Sequence, residues 1–186
     1  MIDGMRVHLE TERLRLRQLT EDDLDNLVEL DSDPEVMRYL NGGHPTPRDT
    51  IRGMMPFILA HYERGDDLGY WAVEADGRFL GWIFFRPYRH DGPPADVDRS
   101  GIEVGYRLRR EAWGEGYATE ASRALIARGF DVVGVDRVFA ETMAVNAGSR
   151  RVMEKSGLRH VATFDREGDD EVQYALTASE WRSGRD

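Results

Sequence analysis

Cysteine is missing from all 186 residues. Its absence removes thiolate nucleophiles, disulfides and cysteinyl metal sites together, and suits a reducing compartment. Long apolar runs are missing too, since charge interrupts the opening MIDGMRVHLETERLRLRQL throughout. That predicts neither a signal peptide nor a membrane span, and the expected location is the cytoplasm. The five histidines, His8, His44, His61, His90 and His160, are scattered without metal-ligand spacing, so no metal is expected and surface positions are. Positive charge is scarce: 25 basic side chains face 35 acidic ones, a net charge of −10. Such a balance repels phosphate backbones and anionic membranes, so neither nucleic acid nor a membrane is an expected partner. It suits a cationic amine, and equally suits plain solubility.

The remainder reads as one globular domain, 1–186, with its core over about 7–178. Arg6 to Leu19 alternates apolar and polar residues and predicts a half-buried strand. Thr20 caps a helix through Leu24, Leu27, Val28 and Leu30, and Asp33-Pro34 opens a short second one. A third helix carries Ile51, Met55, Ile58 and Tyr62, with Pro56 as its weak point. Tyr70–Glu74 and Phe79–Phe85 form a hairpin around Asp76-Gly77. A polar loop from Arg89 to Arg99 and a strand from Gly101 to Leu108 come next. Then follow a helix from Tyr117 to about Phe130, a strand Val135–Met143 and a helix Ala147–Ser156. Strands Leu158–Phe164 and Glu171–Leu176 complete the order. It predicts an α/β architecture, a mixed and mostly antiparallel sheet of about seven strands with helices on both faces.

Trp113-Gly114-Glu115-Gly116 lies directly after a strand and before a helix. The glycines permit close backbone approach, and the N–H groups of about 114–119 have no helical partner. With the helix dipole these make an anion site suited to a diphosphate. It is neither a dinucleotide fingerprint nor a Walker loop, and taken alone it also reads as a plain turn capping a helix.

Two stretches carry a resemblance. Gly105-Tyr106-Arg107-Leu108 with Trp113 to Ala121 resembles the acetyl-coenzyme A motif of the GNAT acetyltransferase superfamily. Asn146-Ala147-Gly148-Ser149-Arg150 through Leu158 is similar to its second motif. The opening Leu9–Arg17 and the close Ala175–Trp181 look like the branch that contains ribosomal-protein alanine N-acetyltransferases, in which homodimers are frequent. The pattern departs at Trp113, where the superfamily usually has Arg or Gln. What the resemblance implies is a GNAT fold and transfer of acetyl from acetyl-CoA to a primary amine, on a protein N-terminus or a small molecule. Transfer would be direct, with both substrates bound together. The alternative is a protein that binds acyl-CoA without turnover.

The residues implied for acetyl-CoA are Val104, Gly105, Tyr106, Arg109, Trp113, Gly114, Glu115, Gly116, Tyr117, Ala118, Thr119, Asn146, Ser149 and Arg150. An N–H near Val104 or Gly105 would stabilise the thioester oxygen. Glu103 is the candidate general base, directly or through water; on a regular strand it shares a face with Gly105 and Arg107. Methionine at 153 stands where many members have a tyrosine acid, and Ser149 is the implied substitute or a serine serving the helix start, while Asn146 meets the pantetheine, caps the helix, or does both. Arg109 and Arg110 would meet phosphates, or simply be solvated strand-end arginines. The acceptor is expected near Asn41–Thr46, the helices before Gly69 and the Arg89–Arg99 loop with Asp91, Asp96 and Asp98. His61, Glu63 and His90 are within its expected reach, and Trp71, Trp82, Phe84 and Phe85 supply core or pocket walls.

Overall fold

The structure, a computed structural model, describes residues 6–65, 67–88 and 100–184. The chain forms two compact units, Met1–Phe84 with Tyr106–Ala121 and Phe85–Gly105 with Ser122–Asp186. Its strands are β1 (Val7–Glu10), β2 (Arg15–Gln18), β3 (Gly69–Ala75), β4 (Arg78–Pro87), β5 (Ile102–Leu108), β6 (Arg137–Met143), β7 (Arg159–Arg166) and β8 (Asp169–Thr177). Its helices are α1 (Leu24–Ser32), α2 (Pro34–Asn41), α3 (Arg48–Ala60), α4 (Tyr117–Arg128), α5 (Ala147–Lys155) and α6 (Ala178–Ser183). The strand order is β1-β2-β3-β4-β5-β6-β8-β7. β5 and β6 are parallel, whereas β1–β2, β2–β3, β6–β8 and β7–β8 are antiparallel.

Eight strands replace the expected seven because the run from Arg6 to Leu19 is a hairpin rather than one strand. The Thr11 and Leu14 backbones are joined by a 2.9 Å hydrogen bond, and the Thr11 hydroxyl accepts the Leu14 N–H. A threonine that satisfies its own turn this way competes with strand continuation. The sixth helix follows from Thr177 and Glu180, which form a reciprocal capping box. α3 runs through Pro56 without interruption. Pro56 lies on its exposed face, where water is available to the carbonyl it leaves without a donor. α4 stops at Arg128 and widens into a π-helical turn over Gly129–Val133. The Phe85 ring packs there so closely that a Cβ on Gly129 would meet it at 2.5 Å.

In the first unit Leu19, Leu27, Ile51, Met55, Ile58, Tyr70 and Ala72 form a buried cluster. α1 and α3 contribute to it from their apolar stripes, and β3 is buried along its whole length. Beside it lies a buried ionic knot. β2 buries Leu16 and Arg17 in succession, so on one face it must inter a charge. The Arg17 guanidinium donates twice to Asp23, at 2.7 Å each, and once to Glu74, also at 2.7 Å. Asp23 also accepts the Thr20 N–H at 2.9 Å, which ties the start of α1 to β2 and β3. Burial pushes the Asp23 carboxyl up, but the Arg17 and Thr20 hydrogen bonds outweigh it and hold it below its usual range.

A carboxylate held low in the folded state stabilises fully above its ordinary value and stops doing so as pH falls through the lowered one. Asp23→Asn should therefore lose about 3 kcal/mol at neutral pH, because Arg17 keeps its burial and loses a counter-charge. Denaturant titrations between pH 2 and 7 should show a flatter acid limb in the variant. Superimposable limbs would remove Asp23 from the account.

Candidate active site

β5 ends at Leu108, and a 3₁₀ turn over Arg110–Ala112 leads to an extended Trp113. The Trp113 indole N–H donates to the Leu108 carbonyl at 2.9 Å, pinning one edge of a ring that is 47% exposed. Gly114 and Gly116 follow with φ of 82° and 81°, a region L-residues avoid. Nothing lies within 4 Å of a Cβ placed on Gly114, so backbone conformation alone demands glycine there. α4 begins at Tyr117, and the Glu120 N–H bonds to the Gly116 carbonyl at 3.0 Å. The preceding amides therefore lie ahead of the helical ladder, at its positive end, on an exposed loop.

Arg13, from the β1–β2 turn, holds that loop from the side. Its Nη1 donates to the Glu115 carbonyl at 2.9 Å, its Nε to Glu120 at 2.7 Å, and its guanidinium lies 4.7 Å from the Tyr117 ring centroid. Glu120 also accepts the Thr11 hydroxyl at 2.6 Å and the Arg13 N–H at 2.9 Å. Burial pushes the Glu120 carboxyl up, and these donors more than offset it, leaving it below the usual carboxylate range. The hydrogen bond to Glu120 raises Arg13 in turn.

The neighbouring arginines face elsewhere. Arg109 donates to Glu29 through both Nη atoms, at 3.0 and 2.7 Å, and to Asn26 at 3.3 Å. The Arg110 Nε lies 3.5 Å from Asp33. Arg107 is ion-paired with Asp31 and lies over Trp82 at 5.2 Å. A cleft of about 300 Å³ is lined by Glu29, Asp33, Arg109 and Arg110. Tyr106 is half-buried on β5.

The second unit holds the candidate proton-transfer residues. Ile102 and Val104 are buried while Glu103 and Gly105 are half-buried, so β5 alternates here as a regular strand. Glu103 lies across from Phe139 on β6, and the Arg86 Nη2 lies 3.4 Å from its Oε2. The β5–β6 ladder comprises Ile102↔Val138 and Glu103↔Phe139, while on its other edge β6 pairs with β8 from Arg137 to Met143. Val104 and Gly105 thus have no partner in the β5–β6 ladder. On α5 the Asn146 side chain caps the helix, accepting the Ser149 N–H at 3.1 Å and donating to the Thr142 hydroxyl at 3.1 Å. That leaves the Ser149 hydroxyl out of the cap. Arg150 reaches the Tyr174 hydroxyl at 3.3 Å and the Ala144 carbonyl at 3.1 Å, bracing the β6–α5 turn.

Residues 13–159 match the model of the GNAT acetyltransferase domain. The chain belongs to the GNAT acetyltransferase family. It is 33% identical over 181 residues to the FsC-acetyl coenzyme A-N(2)-transacetylase of Aspergillus fumigatus, covering 93% of this chain and 77% of that protein. A GNAT-family acetyltransferase from Bacillus anthracis superposes with a TM-score of 0.76 at 25% identity, covering 92% and 99% of the two chains. A ribosomal L7/L12 alpha-N-protein acetyltransferase in complex with coenzyme A shares the fold, with a TM-score of 0.75 at 16% identity over 94% and 99%.

As a GNAT acetyltransferase the protein draws its acetyl group from acetyl-CoA. The loop fits that donor's diphosphate: its amides are exposed, its two glycines hold it open, and its one inward acid, Glu120, is already saturated by donors. Arg13, Arg86 and Thr11 escaped sequence reasoning, because each meets its partner across a sequence gap that no local pattern bridges. His61 is 4% exposed rather than at the surface, with its Nδ1 2.8 Å from the Phe57 carbonyl and its ring against Tyr70. Trp71 and Phe85 are core, whereas Trp82 and Phe84 are half-buried around Tyr70. The Arg89–Arg99 loop, with His90, Asp91, Asp96 and Asp98, lies outside the described residues.

Gly116→Val should raise the coenzyme A dissociation constant about tenfold or more, since a β-branched residue at that φ displaces the loop at a cost of about 1–2 kcal/mol. Calorimetric titration checks it; unchanged affinity would detach the loop from the donor.

Proposed function

We propose that this acetyltransferase transfers acetyl directly onto a primary amine with both substrates bound at once. The amine nitrogen forms the new C–N bond as the thioester C–S bond breaks, and the electron pair leaves on sulfur. The observation that carries the reading is the amide-rich loop of 114–119 opening α4, within a chain of this family. In it Trp113, Gly114, Glu115, Gly116, Tyr117, Ala118 and Thr119 cradle the diphosphate. The backbone of Val104, Gly105 and Tyr106 receives the pantetheine arm, and an N–H at Val104 or Gly105 stabilises the carbonyl oxygen. Asn146 and Arg150 support the donor mainly by shaping the α5 start, given the partners they already hold. Arg109 reaches a phosphate only by leaving Glu29.

Glu103 takes the proton that the amine loses, directly or through water. Arg86 beside it keeps a positive charge at the carboxylate and limits its rotamers. The Ser149 hydroxyl, left out of the cap that Asn146 provides, donates to the departing sulfur.

For the acceptor we favour an amine on a small molecule. The 33%-identical relative is named for transfer to a nitrogen, N(2), of its own acceptor, and that likeness covers most of both chains. A protein N-terminus is the second reading, supported by the Leu9–Arg17 and Ala175–Trp181 resemblance to the ribosomal-protein branch. The acidic chain favours a cationic acceptor in either case. The reading includes a cytoplasmic setting; among the described residues no helix is long and apolar enough to cross a membrane.

Thiol release from acetyl-CoA, followed against a panel of small amines and N-terminal peptides, tests the proposal. Acceptor-dependent release is expected. Binding of acetyl-CoA without release for any amine would favour the non-catalytic reading. Ser149→Ala should lower kcat about tenfold with donor affinity unchanged, and Glu103→Gln should lower kcat/KM about a hundredfold and erase its acid limb. A wild-type pH profile in Glu103→Gln would reassign the base.

A further inference from the structure

The clamp beneath the glycine loop does more than shape it. The Glu120 carboxylate stands in the first turn of α4, within one turn of the N–H groups assigned to the donor diphosphate. Left to itself a first-turn carboxylate is drawn to those same N–H groups, and its charge opposes a second anion arriving there. Here both its oxygens are turned away and filled. Oε1 accepts from the Thr11 hydroxyl at 2.6 Å and the Arg13 N–H at 2.9 Å, and Oε2 pairs with the Arg13 Nε at 2.7 Å and Nη2 at 2.6 Å. The same guanidinium holds the Glu115 carbonyl at 2.9 Å, turning an acceptor of the loop away from its amide face.

We propose that Thr11 and Arg13 are positioning residues for the donor: they sequester Glu120 and the Glu115 carbonyl, so that the α4 N-terminus presents donors alone to a diphosphate. This rests on the reading that the loop holds the diphosphate of acetyl-CoA. The clamp acts on one part of that molecule, the diphosphate, and leaves the acyl-pantetheine part untouched. It also explains why an acid is tolerated in the first turn of a phosphate-facing helix: its charge is neutralised from the β1–β2 turn.

The test compares acetyl-CoA with S-acetylpantetheine, a donor that lacks the diphosphate, in steady-state kinetics on the full chain. Arg13→Ala should raise the KM for acetyl-CoA about tenfold, the loss of one charge-assisted contact set, and leave that for S-acetylpantetheine within about twofold. Adding Glu120→Gln to Arg13→Ala should restore most of the acetyl-CoA affinity, because the freed charge is then gone. Thr11→Val, which removes one hydrogen bond and keeps the ion pair, should give a smaller shift of about threefold with the same donor selectivity. It decides the matter if Arg13→Ala does not fold. Equal losses with both donors, or no recovery in the double variant, would reduce the cluster to ordinary structural support. If wild type uses neither donor, the acetyl-transfer reading falls and the clamp with it; an active wild type whose variants lack selectivity overturns the clamp alone.

Discussion

From Thr11 and Arg13, residues more than a hundred positions earlier in the chain, the Glu120 carboxylate accepts three hydrogen bonds and a further ion-pair contact from the Arg13 guanidinium. Through them the β1–β2 turn is fastened to the first turn of α4, and the glycine loop is stretched over the fastening. Everything assigned to the donor in the first unit depends on this arrangement. The positive φ at Gly114 and Gly116 is useful only if the loop has one shape, and Arg13 at the Glu115 carbonyl defines it. The N–H groups at the helix start are useful only if no neighbouring acid consumes them.

Arg17, four residues on, is the same residue type under different physics. Arg13 is 43% exposed and its ion pair is screened by water, so its contribution is direction rather than stability. Arg17 is 5% exposed in its side chain and surrounded by Asp23 and Glu74. There the desolvation cost of three charges is offset only because every guanidinium edge has a partner. The first braces a surface loop, and the second fixes β2 against β3 and the start of α1. Together they explain why the early segment alternates arginine and leucine so closely.

Much of this was readable in the sequence where a local pattern carries the physics. The Asp76-Gly77 turn adopts φ of 50° and 72°, as a two-residue hairpin requires. The glycine loop and its helix stand where strand, turn and helix signals placed them, and Asn146 caps α5. What escaped is pairing at long range. Thr11 and Arg13 read as strand residues, because nothing nearby announces Glu120. Arg109 reads as a phosphate ligand or a solvated strand-end arginine, and its pairing with Glu29, eighty residues away in sequence, has no local signal. Likewise His61 looked like surface until α3 laid it against Tyr70. The α6 capping box, by contrast, was written plainly in Thr177-Ala178-Ser179-Glu180 and had only to be read.

The proposed donor site rests on the loop and the contacts that brace it, while the proposed acceptor is approached through likeness to a transferase of an N(2) nitrogen. The central claim is that the backbone of 114–119 holds the diphosphate of acetyl-CoA while Arg13 keeps Glu120 out of its way. A crystal structure with coenzyme A bound measures that most directly. The account predicts diphosphate oxygens within about 3 Å of those amide nitrogens, with the Arg13–Glu120 pair intact. A diphosphate held instead by Arg109 and Arg110, released from Glu29 and Asp33, would contradict it.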